Sequence, residues 1–303
     1  MFNSIWEQLS GQIADRWAVS NLLPALLFWL LGFGLWIGQI GWGPFENYVL
    51  GLSTFSRAAL FILVLGFAVV SAAVAARLET WLLRLLEGEW PGWWGPLTRW
   101  RVERHRRSAA QRLERWQVLQ ARLEQLTPDE RRLHARLERR LRHTPVDPAD
   151  HMPTLLGNVL RAGERRPLVK YGLDAVICWP RLWLLLPEGP RSELTEARAD
   201  LNTAVRVWLW VFASLVWSIW AWWLPLVILP SLVFIYAQWM LPVAARYGDL
   251  IEAAFDVYRR DLYAALGWPR PTTPAEEHAL GRQLTAYLWR GSDARSPTFH
   301  WPG

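Results

Sequence analysis

The chain has 303 residues, of which 52% are apolar and 20% charged, with a formal net charge of +6 and one cysteine, Cys178. That balance excludes a disordered chain, which needs the reverse. A lone cysteine excludes an intramolecular disulfide framework and any cysteine-rich metal site. The apolar residues are clumped, which argues against an ordinary soluble domain. All 33 basic residues except Lys170 are arginines. The sequence pI near 10.0 suits nucleic acid or a membrane surface of anionic lipid, and the clumping favours the second.

In chain order, residues 1–20 are expected to hold an interfacial amphipathic helix. Ser4 and Glu7 have capping-box spacing, and Ile5, Leu9, Ile13 and Trp17 recur on one face. The first candidate span runs roughly over 22–41 and the second over 58–76, together a membrane hairpin over 21–77. About 20 helical residues match a hydrocarbon core of roughly 30 Å. No basic region precedes the first run and it is too long for a signal core, so it reads as a retained span. The second span continues helically to about Gly88, and Trp90, Trp93 and Trp94 then cluster among Gly and Pro, as in an interfacial loop.

A helical domain over 78–204 follows. A long Arg-rich helix over 97–126 carries an apolar stripe of the heptad kind at Leu113, Trp116, Leu119 or Gln120, Leu123 and Leu126. Thr127-Pro128-Asp129-Glu130 is a helix start, with Leu133, Leu137 and Leu141 four apart after it. The two helices should form an αα-hairpin over about 97–143. Residues 144–153 are a Pro/Asp-rich connector. The apolar run up to Leu186, interrupted by Pro180 and Arg181, is too short and broken to span.

A helix from Ser192 is expected to enter the third span, over 205–224, with Arg206 at its start. The fourth span, over 226–244, closes a second hairpin over 205–244, with a kink at Pro242. Residues 245–303 supply C-terminal helices, the last opened by Thr273-Pro274-Ala275-Glu276 and ending near Trp289, and a tail frayed from Gly291. The expected fold is therefore all-α: four transmembrane helices in two hairpins, with an Arg-rich cytoplasmic domain between them.

Orientation follows from arginine counting. Between Arg77 and Arg206 lie 24 of the 33 basic residues, against 17 acidic ones, while Arg57 is the one base between spans one and two. The positive-inside rule then places the central domain and both termini in the cytoplasm. Trp42, Trp208, Trp210, Trp222, Trp223 and Trp239 are expected at headgroup level. Trp217 and Trp220 fall mid-span, facing lipid or a partner helix, so a homo-oligomer is among the expected assemblies. The other expected partners are anionic inner-leaflet headgroups and a cytoplasmic protein. Nucleic acid is not expected, because the basic helices lack a recognition motif or aromatic interleaving.

No charged residue lies in the middle of a span, which argues against a pump or coupled transporter. The polar residues within spans, Gln39, Ser71, Ser214, Ser218, Ser231, Tyr236 and Gln238, suit helix-to-helix glue, or a narrow water path. Histidines are scattered without metal-binding spacing, and Asp147, Asp150 and His151 have the composition of a polar linker. No catalytic residue, metal or cofactor is expected, and Cys178 reads as a buried thiol. The most distinctive polar set is Asn158, Arg161, Glu164, Tyr171, Asp174 and Arg181. The first three share a helix face, as an ion-paired lock, a ligand pocket or a catalytic site.

The runs Leu156-Gly157-Asn158-Val159-Leu160-Arg161-Ala162, Tyr171-Gly172-Leu173-Asp174 and Trp179-Pro180-Arg181-Leu182 resemble a group of bacterial multi-pass membrane proteins without an established activity. The ending from Tyr247-Gly248-Asp249-Leu250 to Tyr287-Leu288-Trp289-Arg290-Gly291 resembles it too. The resemblance covers about the C-terminal half and implies a bacterial helical membrane protein, but carries over no functional residues. Gly163 stands where the group leads one to expect Ala. The expected function is a non-catalytic membrane-anchored scaffold, sensor or signalling partner. The alternatives are an oligomeric channel or pore-type effector and an interfacial lipid-active enzyme.

Overall fold

The structure, a computed structural model, describes residues 22–291. The helix expected over 1–20 and the tail after Gly291 lie outside the described residues. Among the described residues the fold is all-helical, with no strand. Four helical stretches are long and apolar enough to cross a membrane. By contacts the described chain divides into two compact units. One holds the residues up to Leu83 with Leu201–Met240, and the other Arg84–Asp200 with the residues from Leu241 onward.

The first unit contains α1 (Leu23–Ile40), α2 (Trp42–Gly51), most of α3 (Thr54–Glu87), the second half of α8 (Glu188–Ala213) and α9 (Leu224–Ile235). Its core joins Ala25, Phe28, Ala72, Ala75, Trp210, Trp217, Ile228 and Leu232. Close fit of small residues against large rings holds these helices together. Gly32 provides that fit: a Cβ there would lie 2.5 Å from the Trp217 ring. Trp210 is buried within the chain's own bundle, where a headgroup-level position was expected, and Trp217 packs on α1 as its partner helix. Trp42 and Trp222 are exposed, as an amphipathic belt requires.

Three further expectations need correction here. The loop between the first two spans is largely the helix α2. Arg57 closes the end of this helix by donating to the carbonyls of Val49, Leu50 and Leu52. The third span does not stay α-helical to Leu224. It tightens to a 3-10 helix over Ser214–Ile219, and α9 restarts at Leu224 with Pro225 in its first turn, where a missing N–H costs the helix nothing. The irregularity in the fourth span is a π turn over Tyr236–Met240, just before α10 (Leu241–Ala265). Pro242 lacks the N–H that would close an ordinary turn onto residue 238, so the preceding turn widens.

The second unit holds the last turn of α3, α4 (Gly95–Gln120), α5 (Pro128–Arg142), α6 (Leu155–Tyr171), α7 (Ala175–Leu185), the first half of α8, α10 and α11 (Pro274–Arg290). Leu173, Cys178, Leu182, Phe255, Tyr263, Trp268 and Leu284 form its core. Pro180 does not break α7, which stays helical through it. A proline costs the helix one hydrogen bond and a ring clash, and Leu182 and Leu186 packed in the core outweigh that.

Between α4 and α5, Leu119, Leu126 and Leu137 pack with Trp116, and His134 stacks on Trp116 while bonding Gln120 at 2.7 Å. Leu113, Leu123 and Leu133 are exposed, and Leu123 lies beyond the end of α4 at Gln120, so the stripe is not continued helically. Thr127 and Glu130 form the expected reciprocal capping box. Thr127→Ala should lower the local stability of α5 by about 1 kcal/mol, read as roughly fivefold faster amide exchange at Glu130 and Arg131.

Candidate functional site

The six polar residues singled out from the sequence fall into separate settings. Asn158 is spent on the chain entering α6: its Oδ1 accepts from the Met152 amide, and its Nδ2 donates to the carbonyls of Met152 and Thr154. Tyr171 donates to Asp256 at 2.6 Å, beside Lys170, and lies under the Arg259 guanidinium. Lys170 also meets the buried Glu252 at 2.6 Å. Asp174 caps α7 and pairs with Arg165, which also holds Asp150 at 2.9 Å. Arg181 donates to Ile177 in its own helix. Cys178 is fully buried, and burial pushes its thiol up to about 11.

Arg161 and Glu164, 3.6 Å apart, stand where α6 meets other elements. Glu164 lines a cavity of about 240 Å³ with Glu87, Trp179, Arg198, Tyr247 and Ile251. These residues come from α3, α6, α7, α8 and α10. Glu87 is the last residue of α3. The Thr154 hydroxyl, which also caps α6, donates to the Glu87 carbonyl at 2.8 Å. Gly157 lets the next turn of α6 approach that carbonyl. One carboxyl is thereby fixed at the mouth of the cavity, and Gly88, with φ of 100°, turns the chain away.

The electrostatics of this cavity are unusual. Burial pushes Glu87 up to about 7, Arg198 opposes the shift, and Glu164 adds to it. Glu164 is also raised by burial, against Arg161 and Arg165. Burial raises Tyr247 as well, and the Arg198 guanidinium lies over its ring at 5.6 Å. Among the described residues the Glu87 carboxyl has no ion pair or hydrogen bond. Two like carboxyls beside one arginine favour holding a proton near neutral pH. The arrangement can bind and release a proton. It offers no nucleophile paired with a base.

The span-polar residues are mostly satisfied locally. Ser214 and Ser231 bond back to carbonyls four residues earlier, Gln39 reaches the Trp220 carbonyl and Ser71 accepts from the Trp29 indole. Tyr236 and Gln238 lie in the π turn. The buried Ser218 hydroxyl has no partner among the described residues.

Sequence reasoning passed over Glu87, Arg198 and Tyr247. It also passed over Glu79, which binds Arg206 through Nε at 3.0 Å in the first unit. Glu79, three residues past the second span, was the signal available for that pair. Comparison with protein-family models, curated proteins and solved structures finds no match to the chain. The functional reading therefore rests on geometry.

Proposed function

We propose that the protein is a non-catalytic, membrane-anchored sensor or signalling scaffold of a bacterial inner membrane, with its second unit in the cytoplasm. One observation carries this reading. Glu87, an unpaired carboxyl poised near neutrality, ends the same unbroken helix that supplies the second candidate span. Its 34 residues extend about 50 Å, well beyond a bilayer core of roughly 30 Å. A change of charge at Glu87 thus acts on a rod continuous with the span. The hairpin supports the cytoplasmic placement: fourteen arginines face six acidic residues between Gly95 and Arg142, a net +8 against +6 for the whole chain. A surface so basic suits anionic inner-leaflet headgroups. The hydroxyls of Ser214 and Ser231, turned onto their own helices, favour this reading over a pore.

The sign of the pH response follows from Glu87. Its folded value is raised from 4.5 to about 7, so between these limits the folded state holds more protons than the unfolded one. Stability of the second unit should therefore fall as pH rises through that window. Arg84, Glu89, Arg161, Glu164, Arg198 and Tyr247 surround the group and stay in both variants tested. In native-lipid nanodiscs, amide exchange in α6 and the last turns of α3, corrected for intrinsic rates, should be faster at pH 8 than at pH 6. Glu87→Gln should erase the difference, and Glu87→Asp should keep part of it. A wild-type protein with equal exchange at both pH values would sink the sensor reading.

A further inference from the structure

The first unit carries an open cleft of about 780 Å³, walled by α1, α2, α3 and the 3-10 turn after α8. Phe33, Phe45, Phe61 and Phe67 supply much of its surface, and Trp217 its inner wall. A void of this size lined by ring faces forfeits dispersion contacts on its open side. At the level of the candidate spans, acyl chain is the solvent at hand.

One polar feature distinguishes this cleft from a merely greasy helix face. Arg57, also on its lining, is the one basic residue between Leu23 and Ala76. Its guanidinium is oriented by the carbonyls of Val49, Leu50 and Leu52. Among the described residues no carboxylate pairs with it, and donors on Nη1 remain. Trp217, at the inner wall, is buried to 9% exposure, and its indole N–H has no acceptor among the described residues. That nitrogen is shielded from the cleft, so the ring offers a ligand an apolar wall and the polar contact falls to Arg57.

We infer that this cleft is a specific phospholipid site, with an acyl chain between α1 and α3 and the phosphate on Arg57. Charge complementarity at Arg57 selects a phospholipid over a free fatty alcohol or a sterol. The site is independent of the carboxyl cavity and stands whether or not the sensor reading does.

Native mass spectrometry of the full chain released from native-lipid nanodiscs tests it. The wild type should retain one phospholipid per chain after annular lipid is stripped. Arg57→Gln should reduce that retained fraction about tenfold or more, as for loss of a charge-assisted contact. Val64→Trp, which fills the cleft and leaves Arg57 in place, should do the same. Arg260→Gln, far along α10, should leave it unchanged. A folded wild type carrying no lipid overturns the proposal, as does equal retention in all four proteins. So does a lipid-free dimer, which would give the cleft to a second copy.

Discussion

Arg206→Ala should destabilise the first unit by about 3–5 kcal/mol, the usual cost of stranding one member of a buried ion pair. Arg206 on α8 and Glu79 on α3 are both buried, at 9% and 7% exposure. They join helices 127 residues apart in sequence. Both lie at the margin of their predicted spans, where water cannot easily reach a charge left behind. Glu79→Gln should cost less, since its amide still accepts a hydrogen bond. Replacing both partners, Glu79→Leu with Arg206→Met, should be nearly neutral or stabilising, because neither charge then has to leave water. The pair would in that case fix the register of α8 against α3 rather than hold the fold up. Thermal unfolding in nanodiscs, followed by tryptophan fluorescence, reads all three variants. A double variant as unstable as Arg206→Ala would show that the pair itself is stabilising.

That pair also marks how far the sequence could be read. The four spans were legible because hydropathy is a local property, summed over about 20 neighbours. So were the helix starts at Thr127 and Thr273, where cap and Glu lie three residues apart and bond as expected. The polar constellations were not legible in the same way. Asn158, Arg161 and Glu164 do share a helix, but Asn158 faces the loop before it and only Glu164 reaches the cavity. Glu87, Glu164, Arg198 and Tyr247 belong to four helices and meet only through tertiary packing. Which helix Trp217 would pack on was illegible for a related reason: Gly32, a residue with no side chain to notice, makes the slot that takes Trp217 into the core. Pro180 misled in the opposite sense, since a local break signal lost to burial of the leucines around it.

The glycines of α6 yield the other large effect, and it is asymmetric. Gly163 crosses Gly248 of α10 so closely that a Cβ on Gly163 would lie 2.6 Å from the Gly248 Cα. The neighbour is backbone and cannot rotate aside. Gly163→Ala should therefore cost about 1–3 kcal/mol by forcing the helices apart, although alanine is the better helix former. This also accounts for glycine at a position where alanine was expected. A Cβ on Gly248 meets its nearest atom at 3.5 Å, an ordinary contact. Gly248→Ala should then be neutral or gain up to about 1 kcal/mol from helix propensity. Gly157→Ala is the severest of the three, because its Cβ would sit 1.9 Å from the Glu87 carbonyl oxygen. The end of α3 has to move, the Thr154 bond to that carbonyl breaks, and the Glu87 carboxyl leaves its buried position. Gly157→Ala should thus lower stability and also return Glu87 toward the ordinary carboxylate range, flattening the exchange difference between pH 6 and pH 8. Gly163→Ala, which loosens a different contact, should lose stability while keeping that difference. If both variants keep it, Glu87 is not held in place by the α3–α6 contact, and the coupling of the carboxyl cavity to the span helix falls with it.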